Sequence, residues 1–235
     1  MTFVRPLDLS TVDRLGARSR RCVYWQTDGD GAPGDPEFEK EAWISRVALE
    51  WGVCGQVAEA AGRPAGAAFY APPGMVPRAA CFPTSPVGAD AVLLAGLDEE
   101  PDAPSGVRTT LLGAVVEDLR GRGVKAVETF GLTNGDPGEI TSRDGCGASA
   151  CLTSAAFLVE HGFTVVAEHE THPRLRLDIE TDHLWKADVE RALDQLFAER
   201  GFPTRKIGVL SGATARVRAR GRGTRLSRAD AARSR

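Results

Sequence analysis

The alternation of apolar and polar residues divides the chain into short strands and a few longer helical stretches. Thr2 to Leu7 predicts a first strand, with Asp8 and Ser10 as helix caps ahead of Thr11–Leu15. From Glu37 to Glu50, Phe38, Trp43, Ile44, Val47 and Leu49 recur at helical spacing. Gly55–Ala60 and Ala65–Ala71 predict a hairpin turned at Ala61-Gly62-Arg63-Pro64. The small residues of its second strand predict close backbone approach. The proline-rich Pro72 to Pro86 predicts an irregular surface segment. Asp90 to Leu97 is a continuous apolar run of strand length, which suits a central strand covered on both faces.

Arg108 to Gly121 returns to helical spacing through Leu111, Leu112, Val115, Val116 and Leu119, and Gly121 and Gly123 stop it. Val124 to Phe130 predicts the next strand, so Asp90–Phe130 forms a strand–helix–strand unit with its two strands parallel. Gly131 to Ala150 is glycine-rich and polar, hence a long loop, as is Asp28 to Pro36. Cys151 to His161 predicts a helix closed by Gly162. Phe163–Glu168 and Arg174–Ile179 predict two strands, and Leu184–Glu199 an amphipathic helix. A mixed α/β sandwich is the simplest architecture for this order.

Composition narrows the class. With 235 residues, 42% hydrophobic and 26% charged, the chain suits one soluble globular domain with extensions. No apolar run approaches the roughly 20 residues of a membrane-spanning helix. Met1 to Pro6 holds no apolar signal core, so a cytoplasmic protein is expected. Cys22, Cys54, Cys81, Cys146 and Cys151 fall into no Cys-x-x-Cys pair and are expected to be reduced thiols. Cys146, Cys151, His161, His169 and His172 match no spacing with a known coordination geometry, and no metal is expected.

Charge is unevenly distributed. Residues 203–235 hold ten Lys or Arg against Asp230, giving +9, so the total of −3 leaves −12 for residues 1–202. The expected division is a folded domain over 1–202 and a disordered basic tail over 203–235, rich in arginine from Arg216 to Arg225. Such a tail either is merely solvated or neutralises nucleic-acid phosphates without sequence preference.

The chemistry concentrates before Leu111. Ser105-Gly106-Val107-Arg108-Thr109-Thr110 lies between a buried strand and a helix. A glycine there permits a tight turn that aims successive N–H groups and the positive helix end at one point, an arrangement suited to phosphate.

With this segment, the run from Asp90 to Phe163 resembles the GCN5-related N-acetyltransferase (GNAT) superfamily. The resemblance rests on the apolar strand, the Gly106 loop, the Leu111-Leu112 helix, the Gly121-Arg122-Gly123-Val124 turn, the Ala126–Phe130 strand and the Phe157–Phe163 closure. Glu50–Gly55, Phe82–Val87 and Pro173–Leu177 further resemble an actinobacterial branch of the superfamily. The resemblance implies a mostly antiparallel mixed sheet, α+β, with one splayed parallel strand pair and helices on both faces. It also implies acetyl-CoA as co-substrate and direct attack on the thioester by an amine borne by a small molecule or a protein. Ala95, Gly96 and Leu97 would hold the pantetheine arm, and the backbone of Ser105, Gly106, Val107, Arg108, Thr109 and Thr110 the pyrophosphate.

The departures are specific. Ala103 and Arg108 stand where the superfamily's loop has Arg or Gln and a second Gly or Ala, and Leu158 occupies the place of its frequent tyrosine acid. These favour the rival reading of a non-catalytic acyl-CoA-binding regulatory protein. For the acid–base work the candidates are Glu128 as base, Glu50 behind it, and Cys151 or Ser154 near the leaving sulfur. Glu128 is otherwise a surface carboxylate and Cys151 a small buried hydrophobe. Trp25, Trp43, Trp51 and Tyr70 either line an acceptor pocket or belong to the core.

Overall fold

The computed structural model describes residues 2–27, 34–133 and 151–179. Cys146, most of the glycine-rich loop, the Leu184–Glu199 helix and the basic tail lie outside the described residues.

The elements in chain order are β1 (Thr2–Pro6), α1 (Ala17–Arg21), α2 (Pro36–Glu50), β2 (Gly55–Ala60), β3 (Arg63–Ala71), β4 (Ala91–Glu99), α3 (Val107–Gly121), β5 (Ala126–Leu132), β6 (Thr153–Ser154), α4 (Ala155–Glu160), β7 (Thr164–Ala167) and β8 (Arg174–Asp178). They build one mixed sheet in the order β1-β2-β3-β4-β5-β8-β7, with β6 paired to β5 off that path. The pairings are antiparallel except β4 with β5 and β5 with the two-residue β6. The mostly antiparallel sheet with a parallel central pair is therefore observed.

Local chemistry sets the helices. Asp35 caps α2, its carboxylate accepting from the amides of Glu37 and Phe38, and Pro36 opens the first turn. The helix then buries Trp43, Ile44 and Val47. Gly106 precedes α3 in the left-handed region, at φ +85°, which favours glycine over every residue with a Cβ. That helix buries Val107, Leu111, Leu112, Val115 and Leu119.

Two cores form, one on each face of the sheet. On one side, Trp43, Ile44 and Val47 of α2 pack with Val57, Phe69, Leu93, Phe82 and Phe130. On the other, Leu111, Val115 and Leu119 of α3 and Leu158 of α4 pack with Tyr70, Leu94, Val127 and Leu175. The doubly covered strand predicted from Asp90 to Leu97 is β4, with Leu93 and Ala95 facing the first core and Val92, Leu94 and Leu97 the second. The small residues of β3 have the reason expected of them: a Cβ on Gly66 would lie 2.5 Å from the Asp98 carbonyl oxygen.

Three elements differ from expectation. The helix expected over Thr11–Leu15 is a single 3-10 turn at Val12–Arg14, and neither Asp8 nor Ser10 caps it. Ala17–Arg21 is a helix that carries no apolar period and was not predicted. The helix expected from Cys151 begins only at Ala155, because Thr153 and Ser154 pair as a strand with Gly131 and Leu132. Among the described residues, no helix is long and apolar enough to cross a membrane.

Candidate active site

The site follows from the way β4 parts from β5. Their backbones pair only over Ala91–Leu93 and Ala126–Glu128. Against β3, Phe69 pairs with Gly96 and Tyr70 with Leu94, which leaves Ala95 as an extra residue. A bulge of this kind bends and twists its strand, and β4 departs from β5 just there. Beyond Leu93 the β5-facing edge of β4 has no strand partner among the described residues. Ala95, Gly96 and Leu97 all lie on this stretch.

On the other lip of the wedge, β6 pairs with β5 at Gly131 and Leu132 and leads directly into α4. The approach is close: a Cβ on Gly131 would lie 3.1 Å from that of Ala155. Ser154 is exposed at the junction of β6 and α4. Cys151 precedes this junction and is buried, its sulfur 3.3 Å from that of Cys22. Its carbonyl accepts a 3.2 Å hydrogen bond from Trp25 Nε1. Since α4 starts four positions later and has six residues, its N-terminus does not act on the Cys151 thiol.

The loop ahead of α3 is open. Ser105, Gly106, Thr109 and Thr110 are exposed, and no atom lies within 4 Å of the place a Gly106 Cβ would occupy. Inside α3 the Thr110 amide bonds to Gly106 O at 3.0 Å. The Val107, Arg108 and Thr109 amides come before Thr110, the first amide bonded inside the helix, and point out of the helix end. The neighbouring threonine hydroxyls are turned elsewhere. Thr110 Oγ1 donates to Gly106 O at 3.0 Å, and Thr109 Oγ1 lies 2.9 Å from His161 Nε2. Arg108 reaches Glu99 at 3.4 Å and lies over the Phe157 ring, while its buried Nε has no hydrogen-bond partner among the described residues.

Glu128 occupies neither a surface nor an open cleft. It is 2% exposed and sits where β4 and β5 still pair. Arg174 Nη1 binds its Oε2, Arg176 Nη1 lies 3.2 Å from Oε1, and the Gly88 amide donates to Oε2 at 3.1 Å. Arg174 also donates to Thr84 O, and Arg176 to Asp90 and Asp178. The carboxylate thus pins the 84–90 segment to β8.

A different acid stands at the wedge. Asp98 follows Leu97 on β4, and its side chain makes no hydrogen bond or ion pair with a described residue. Burial, with a smaller contribution from the Cys22 sulfur, pushes its carboxyl up to about 6 against the pull of Arg18, Lys40 and Arg108. The predicted strand stopped at Leu97, which left Asp98 outside the candidates. Its environment is assembled by α1 and α2, from distant parts of the chain.

The aromatic candidates belong to the core. Trp25, Trp43 and Tyr70 are buried, and Trp25 stacks on Phe82 at 5.3 Å. Tyr70 donates to Asp118 at 2.8 Å, and Trp51 lies under the Arg122 guanidinium at 3.6 Å. Glu50 is the last residue of α2. Among the described residues, no group of three or more His, Cys, Asp or Glu is placed to hold a metal ion.

No protein-family model and no curated protein matches the chain. Solved structures similar to it include acetyltransferases. The ribosomal-protein-S18-alanine N-acetyltransferase of Escherichia coli is 14% identical, with a TM-score of 0.43 over 76% of this chain and 94% of its own. An N-acetyltransferase from Staphylococcus aureus Mu50 is 11% identical, with a TM-score of 0.47 over 77% and 99%. A GNAT family acetyltransferase from Brucella melitensis, in complex with acetyl-CoA, is 14% identical, with a TM-score of 0.43 over 76% and 88%. At such identities and scores, function rests on the geometry of this chain's own site.

Proposed function

We propose that the protein is an acetyl-CoA-dependent N-acetyltransferase in which an amine attacks the thioester directly. The observation that carries this reading is the pairing of an opened β4 edge at Ala95–Leu97 with outward-pointing amides behind the left-handed Gly106. The two features lie at opposite ends of one short connection. A ligand with a diphosphate and an extended, amide-bearing arm fits both, because helix-end amides favour the phosphates and a bare strand edge pairs with the arm. The backbone of Ser105 to Thr109 would hold the diphosphate, with Arg108 adding charge, and the edge at Ala95–Leu97 would hold the arm.

The acceptor nitrogen forms the new C–N bond and gives up a proton, and the C–S bond breaks as the thiolate leaves. Asp98 is the base we infer, because a carboxyl near pH 6 beside the wedge, without a side-chain partner among the described residues, accepts a proton at neutral pH. Glu128 acts as a structural anchor, with both oxygens already bound by donors. Ser154 supplies a hydroxyl to the departing sulfur, in place of the buried Leu158. Cys151, held against Cys22, takes no part in the transfer. Holding the reactants together supplies much of the rate, with effective molarities on the order of 10⁵ M in well-oriented systems.

Leu158 is fully buried and offers no proton, which favours a second reading, an acyl-CoA-binding protein without turnover. Incubation with acetyl-CoA and a panel of small amines and peptides, with titration of released thiol, separates the two. Amine-dependent thiol release establishes the enzyme. Tight binding without release on any acceptor establishes the binder, and no binding removes both.

A further inference from the structure

The acetyl-transfer reading leaves one pair of reactive groups unused. Cys22 closes α1, and Cys151 lies just ahead of β6. They are 129 positions apart, yet their sulfurs are 3.3 Å apart, closer than two sulfurs rest without interaction. Both are nearly buried, at 8% and 7% exposure, so peroxide reaches them more readily than a bulky disulfide. An S–S bond of about 2.05 Å needs the sulfurs to close by roughly 1.3 Å. The Trp25 hydrogen bond to Cys151 O already ties the two segments together.

We propose that Cys22 and Cys151 are a modification site, a dithiol that a peroxide converts to a reversible disulfide. One thiolate attacks a peroxide oxygen, giving a sulfenic acid and, with a proton, water. The second thiolate attacks that sulfur and expels hydroxide, which takes a proton to become a second water. Two thiols are oxidised by two electrons and one peroxide is reduced. The site is independent of the acetyl-transfer reading, because it needs no ligand and no turnover. It departs from the expectation that every cysteine remains a reduced thiol. Its position matters all the same, because Cys151 leads into the wedge through β6.

The test treats the full-length protein with hydrogen peroxide, alkylates the remaining thiols and maps peptides without reduction. The expected product is a peptide linked through Cys22 and Cys151. It should be absent from Cys22→Ser and Cys151→Ser and restored to two alkylatable thiols by dithiothreitol. The melting midpoint of the oxidised parent should rise, because the bond closes a long loop, and neither serine variant should show the rise. Serine variants that melt near the reduced parent exclude misfolding as the cause of a missing product. A link to Cys146 or Cys81 instead, sulfinic acid at either residue without a link, or full alkylation of both after peroxide treatment overturns the proposal.

Discussion

Thr129 Oγ1 donates a 2.8 Å hydrogen bond to Leu94 O, one residue beyond the last backbone pairing of β4 with β5. A side chain thus makes the final tie where the two strands part, and both residues are buried. Thr129→Val keeps the shape and removes the donor. It should destabilise the protein by about 1–2 kcal/mol, the cost of an unsatisfied buried carbonyl, and weaken acetyl-CoA binding several-fold as the wedge loses its fixed width. Denaturant unfolding and a binding isotherm measure the two effects.

Asp98 gives the transfer a pH signature. With its carboxyl near 6, kcat/KM should rise through about pH 6 and level off above it. Asp98→Asn should lower kcat by roughly 10²-fold or more while leaving acetyl-CoA affinity within a few-fold. An unchanged rate profile in the variant removes Asp98 from the role of base.

The same carboxyl affects stability with a definite sign. Its folded pKa lies above the ordinary 3.8, so the folded state binds the proton more tightly than the unfolded state. This contribution is fully present below about pH 3.8 and is lost as pH rises through about 6. The melting midpoint of Asp98→Asn relative to the parent should therefore be higher at pH 7.5 than at pH 4.5, and a difference of opposite sign rejects the burial argument.

Glu128 should behave as an anchor. Glu128→Ala leaves Arg174 and Arg176 without their shared partner in a largely buried site, a loss of about 3–5 kcal/mol when such a pair is broken. Activity should fall with the folded fraction and no further. A Glu128→Gln variant that stays stable but loses turnover with an altered pH profile would return the residue to acid–base chemistry.

The strand–helix–strand unit was legible because a continuous apolar run and a clean helical period need no distant partner for their interpretation. The loop glycine was legible for the same reason, since its role is set by its own backbone. The bulge at Ala95 was not. In the run Ala91 to Leu97 every residue is apolar or glycine, so nothing in the sequence marks the change of face between Leu94 and Leu97. Thr153-Ser154 is two residues long and forms a strand only against Gly131 and Leu132, a long-range pairing without local pattern. Glu128 is not the surface carboxylate the sequence suggested, because its arginines come from β8 by cross-strand register. Asp98 was missed because its environment is built by α1 and α2, far upstream.

The most direct test is a calorimetric titration of acetyl-CoA into the parent and into Gly106→Glu, with Gly106→Ala as the control for backbone strain. At φ +85° the alanine should cost about 1 kcal/mol of stability and little affinity. The glutamate should melt like the alanine and bind on the order of 100-fold more weakly, because its carboxylate opposes the diphosphate at the helix end. Equal affinity for parent and Gly106→Glu, or no binding to the parent, would contradict the placement of acetyl-CoA at the head of α3.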